Sequence, residues 1–147
     1  MRGWIVRIAI VVLIAGGAFI FRDRLSGGAG DLAVGDCFDE PAAGGEVRDV
    51  QHHPCNESHT SEVVFVGDVP GGNDAYPTEE QFLDFVRSQC VPAFNAYTGV
   101  DFDSDPTLEV GYFIPTADGW KSGDHEMICY GLRLDGAPTT QSMKRAP

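Results

Sequence analysis

Four cysteines, Cys37, Cys55, Cys90 and Cys129, carry the most chemistry in this chain. Their even number suits two disulfides, and all four follow an apolar N-terminal segment, as in a small domain sent to an oxidising compartment. Zinc is the rival use: Cys55 and His59 stand four apart, and His52, His53 and Cys37 are at hand to complete a tetrahedral set. The spacing is loose for that purpose and has no C-x-x-C pair. Thiol redox catalysis fits less well, because it needs a paired or otherwise activated cysteine. Ser58 and His59, with Glu57 and Glu62 close by, have the types of a nucleophile, a base and an orienting carboxylate. A triad is defined by geometry, however, and the chain has no Gly-x-Ser-x-Gly elbow, so His59 reads first as a hydrogen-bonded loop residue. Asp101, Asp103 and Asp105 begin like a calcium loop, but Pro106 falls at the sixth position where glycine is required and Tyr112 at the twelfth where glutamate is required. An EF-hand is excluded, and a solvated acidic turn is expected, with weak surface binding of Ca²⁺ as the alternative. Trp120, beside Gly119 and near Gly123, reads as a core ring before an exposed recognition aromatic. No cofactor motif is present and no cofactor is expected.

Runs at 47–51, 62–67, 108–115 and 126–134 alternate or are continuously apolar, and turn-rich stretches separate them, which predicts strands. A helix is predicted over 78–97. Thr78 is its N-cap, Gln81 the reciprocal partner of a capping box, and Phe82, Phe85, Val86 and Cys90 its apolar stripe. Pro92 is expected to kink or split it before Gly99. The order strand, strand, helix, strand, strand predicts an α+β domain: a small antiparallel sheet of about four strands with a kinked helix packed on one face.

Residues 4–21 read WIVRIAIVVLIAGGAFIF, long enough at about 27 Å of helix to cross a bilayer. The expectation is a single transmembrane anchor within residues 1–25, a flexible linker at 26–30 and an extracytoplasmic domain at 31–147, the N-terminus inside and the domain outside. Secretion after cleavage of a signal peptide is the alternative, given the small residues Ala15, Gly16, Gly17 and Ala18. Gly16 and Gly17 also suit close approach of a second helix; nothing further bears on oligomeric state. Charge divides along the chain: from Asp31 onward there are 21 Asp and Glu against 6 Lys and Arg. Such a surface repels nucleic acid and anionic lipid and favours cationic partners or simple solubility.

An ordered set of residues then resembles the septum-formation family, small exported or membrane-anchored domains of actinobacteria. It comprises Val34-Gly35-Asp36-Cys37-Phe38; Val50 to Pro54-Cys55 with Ser58-His59 and Glu62-Val63-Val64; Tyr76-Pro77 ahead of the helix bearing Cys90; and Pro115, Trp120, Gly123-Asp124, Cys129, Gly136 and Ser142. Two positions depart from the family pattern: His125 stands where arginine is usual, and Thr140-Gln141-Ser142 replaces a Thr-Gly-Ser-like ending. The resemblance implies an accessory domain of the cell envelope linked to septum formation, without an established reaction or ligand. Of the three pairings that four cysteines allow, Cys37 with Cys55 and Cys90 with Cys129 is the one expected. The leading functional reading is a non-enzymatic interaction or sensor domain whose partner is another envelope or membrane protein. The alternatives are an envelope hydrolase using His59 and a small-ligand or metal-binding module.

Overall fold

The computed structural model describes residues 26–41 and 45–146. Among them six strands, β1 (Ser26–Gly28), β2 (Cys37–Asp39), β3 (Asp49–His53), β4 (Ser61–Asp68), β5 (Leu108–Phe113) and β6 (Glu126–Arg133), form one antiparallel sheet in the order β1-β3-β2-β4-β6-β5. β6 is buried at six consecutive residues, Met127 to Leu132. A strand lined by apolar side chains on both pleats needs cover on both faces, and it receives it. Met127 and Cys129 join Val64, Phe82, Val86, Phe94 and Trp120 on one face, while Ile128, Tyr130 and Leu132 join Ala29, Leu32, Phe38, Val50 and Val63 on the other. β4 carries a bulge between Val63 and Phe65, so Val64 and Phe65 both serve the first of these cores.

The first core is closed by one helical run made of α1 (Glu79–Phe85), a π-turn at Val86–Cys90 and α2 (Val91–Thr98). Thr78 accepts from the Gln81 amide and the Gln81 side chain accepts from the Thr78 amide, completing the capping box. Pro92 opens the second piece of the run, which the π-turn sets off from the first. The amide of Val91 donates five residues back to the carbonyl of Val86, and this wide turn leaves room where an α-turn would press the proline ring on the carbonyl of Ser88. Gly99, at φ 72°, ends α2 in the left-handed conformation that glycine adopts without strain. A further short helix, α3 (Ala117–Lys121), is capped by Thr116 and seats Trp120 in the core.

Two expectations are corrected. The sheet has six strands and not about four, because β1 and β2 are three residues each, too short for a period-two pattern to show. Ser26–Gly28 lies in the stretch whose glycines suggest a linker, yet it pairs with Asp49–Gln51 as an edge strand. The single-pass membrane anchor, with its N-terminus inside and domain outside, is not upheld. Among the described residues no helix is long and apolar enough to cross a membrane. The longest helical run, 79–98, exposes Glu79, Glu80, Asp84 and Arg87. The stretch 4–21 and its Gly16 and Gly17 lie outside the described residues.

Past β6 the chain turns on a local ion pair. Arg133 donates to both carboxylate oxygens of Asp135, at 3.0 and 2.7 Å, and Asp135 also accepts from the Ala137 amide. The guanidinium, seconded by that amide, holds the Asp135 carboxyl at about 2. Because the folded value is depressed, the stabilising interaction is complete above the ordinary aspartate range and is lost as pH falls through about 2. A carboxyl-carbon NMR titration is expected to find this midpoint, and Arg133→Ala to return Asp135 toward the usual range.

Candidate functional site

The sequence-based candidates separate in space. Cys37 is bonded to Cys55 and Cys90 to Cys129, with Cα–Cα separations of 5.3 and 5.9 Å. The first bond fastens β2 to the loop after β3; the second fastens the π-turn to β6. The zinc set does not assemble. Strand alternation sends consecutive His52 and His53 to opposite faces of β3, and Nε2 of His53 sits 2.8 Å from Oδ2 of Asp39 on β2. Among the described residues the donors that gather tightly are Cys37, Cys55 and Glu62. Their sulfurs are bonded to each other, so no thiolate is offered. Asp101 and Asp105 also turn inward on their own loop. Asp101 accepts from the Asp103 amide and the Ser104 hydroxyl, and Asp105 from the amide and hydroxyl of Thr107.

His59 is fully buried, and its Nδ1 lies 2.8 Å from the carbonyl oxygen of Glu57. A carbonyl only accepts, so Nδ1 carries a proton, and Nε2 is buried without a hydrogen-bond partner among the described residues. Among the described residues neither nitrogen meets a hydroxyl or a carboxylate, the two contacts a catalytic base needs. The backbone of His59 pairs in both directions with Thr139 (3.0 and 2.8 Å), which draws the C-terminal segment across the end of β4.

Glu62 is the anchor of that segment. It is 1% exposed, opposite Cys37 and Gly131 in the sheet, and accepts three hydrogen bonds: from the Tyr97 hydroxyl at 2.5 Å, the Ser142 hydroxyl at 2.6 Å and the Met143 amide at 2.5 Å. Burial first, then the adjacent Glu62, pushes the Tyr97 phenol well above its ordinary value and keeps it a donor. Sequence reading placed Glu62 at the start of a strand and in the family-like set, and gave it a chemical role only as a triad acid. Its signal was a lone carboxylate in the apolar run Val63 to Val66, where a charge must find donors or stay out.

Trp120 is fully buried, its Nε1 donating to the Gly72 carbonyl at 2.9 Å. His125 stacks on it, ring centroids 3.9 Å apart and planes 16° apart. The departure from arginine therefore keeps a planar group on the indole, a place a guanidinium also fills.

The opening that sequence reading missed is a cleft of about 470 Å³ beside the C-terminal end of β5. Tyr76, Tyr112, Phe113 and Tyr130 line it with Glu40 and Glu46. The rings of Phe113 and Tyr130 lie 4.9 Å apart, and Tyr130 donates to Glu40 at 3.1 Å. Gly111 makes this possible: a Cβ there would stand 2.3 Å from the Tyr130 ring, so only glycine lets the ring lie over the strand. Tyr76 and Ile114, both at this cleft, are among the few large apolar residues left 40% or more exposed.

The family model for septum formation matches residues 34–146, from the turn before β2 to the strap held by Glu62. The chain belongs to the septum formation family. No curated protein and no solved structure matches it. The matched stretch contains both disulfides, the buried Glu62 and the aromatic cleft. The family's description names a cell process and no reaction.

Proposed function

We propose that this septum-formation domain is a binding module, working by contact with another protein and not by catalysis, in a compartment oxidising enough to keep its two disulfides. The observation that carries this reading is the aromatic-lined cleft within the family match: its lining is drawn from β5, β6 and the loop before α1, with Tyr76 and Ile114 exposed and Tyr112 and Phe113 half-buried. Surface aromatics gathered in a concave site are how proteins make energetic contacts with partners. His59, the residue a hydrolase reading depends on, is sealed away from hydroxyls and carboxylates. Cells depleted of the protein are expected to form fewer septa and to lengthen. The wild-type chain and a His59→Gln variant should restore septation alike, whereas Tyr112→Ala, checked by thermal melt to be folded because Tyr112 also packs on the helix-side core, should not. Normal septation on depletion would remove the link to this process, and loss of rescue by a stably folded His59→Gln would favour catalysis.

A further inference from the structure

β5 is the outer strand of the sheet, and its hydrogen-bonding groups can be assigned from the register. The Leu134 amide donates to the Thr107 carbonyl, which makes 107 and 134 a hydrogen-bonded antiparallel pair. Bonded and non-bonded pairs alternate along an antiparallel ladder, so Glu109, Gly111 and Phe113 bond to β6. The amides and carbonyls of Leu108, Val110 and Tyr112 then point to the open edge, and among the described residues none of them has a partner. An edge of this kind is a template for one more strand. At its C-terminal end lies the cleft, with aromatic faces and two carboxylates, one of them held in place by Tyr130. Asp105 and the exposed Glu109 flank the edge as well.

Resting on the binding-module reading, we propose that β5 and this cleft together take an extended, basic polypeptide segment of a partner protein. The segment adds as a strand along Leu108, Val110 and Tyr112 and places an arginine or lysine against the aromatic rings and Glu40. The backbone supplies the pairing; the cation–π faces and carboxylates select the charge. A second copy of this chain is disfavoured, since pairing two β5 edges would bring together two surfaces each carrying Glu40, Glu46 and Glu109, in a chain of net charge −12.

The test uses the full chain and two blocked hexapeptide probes, one alternating valine with arginine and one alternating valine with glutamate. Binding is followed by calorimetry and by amide NMR. The basic peptide is expected to bind at least tenfold more tightly than the acidic one, with protection of the Val110 and Tyr112 amides. Val110→Pro, which removes an outward amide and no bond to β6, should abolish binding. Glu40→Gln, at an exposed position, should weaken it severalfold while leaving the thermal melt unchanged. Equal affinity for the two peptides, no binding to either, or unchanged affinity in both variants would overturn the proposal. So would a concentration-dependent dimer that Val110→Pro dissolves, which would assign the edge to a second copy. These outcomes are independent of septation in cells, so either reading can fail without the other.

Discussion

Replacing Glu62 by alanine is expected to cost about 3 to 5 kcal/mol of folding stability, because three donors lose their one shared, buried acceptor together. Among the described residues the Tyr97 hydroxyl, the Ser142 hydroxyl and the Met143 amide donate to no other acceptor, although the Ser142 oxygen also accepts from the Lys144 amide; Tyr97 is held by α2 while the other two belong to the C-terminal strap. The loss should therefore have a place as well as a size. In native-state hydrogen exchange the Met143 amide and the His59–Thr139 pair should lose protection first, before the β4–β6 ladder does. Glu62→Gln keeps the volume but turns one acceptor oxygen into a donor, which sets it against one of the three groups. Its expected cost is smaller, about 1.5 to 3 kcal/mol. Urea denaturation of both variants checks the order. A cost below about 0.5 kcal/mol for the alanine variant, as for an ordinary surface substitution, would show that the strap does not depend on Glu62.

The double variant Cys90→Ala with Cys129→Ala is expected to lose about 4 kcal/mol, and its counterpart at Cys37 and Cys55 about 3 kcal/mol. The difference follows from the closed loops, with sequence separations of 39 and 18 residues, because the longer loop removes more freedom from the unfolded chain. Burial acts in the same direction: Cys90 and Cys129 are both fully buried in the helix-side core, while Cys55 is partly exposed. For a domain of this size the larger loss corresponds to a fall in melting temperature of roughly 15 °C. Thermal melts without reductant, followed by circular dichroism, would measure both. A larger loss at Cys37 and Cys55 would mean that fastening β2 beside Glu62 matters more than loop length.

Local chemistry was legible wherever it lay within a few residues. Thr78 and Gln81 announced a helix start, the apolar runs around Val63 and Ile128 announced the two longest strands, β4 and β6, and Pro106 excluded an EF-hand. Pro92 was read as a kink or split because its missing amide and its ring are local facts; that a π-turn is the form this takes depends on the neighbouring backbone. β1 and β2 escaped notice because three residues hold too little periodicity, and their pairing comes from β3. The cleft was out of reach for a related reason: Glu40, Tyr76, Tyr112 and Tyr130 come from four distant stretches, and nothing in any one of them marks the others.

By itself the sequence determined an acidic, cysteine-paired chain with a capped helix, because charge, cysteine parity and capping can be read without the fold; its likeness to the septum-formation family came from the ordered residues between Val34 and Ser142. Only the tertiary structure decided what each reactive side chain does. It buried His59 against a carbonyl, occupied Glu62 with three donors and left β5 with an open edge beside an aromatic cleft. The reason is physical: a titratable group's role depends on which donors and rings stand within about 3 to 6 Å of it. In this fold those neighbours are brought together by the sheet order, across 35 to 90 positions of sequence.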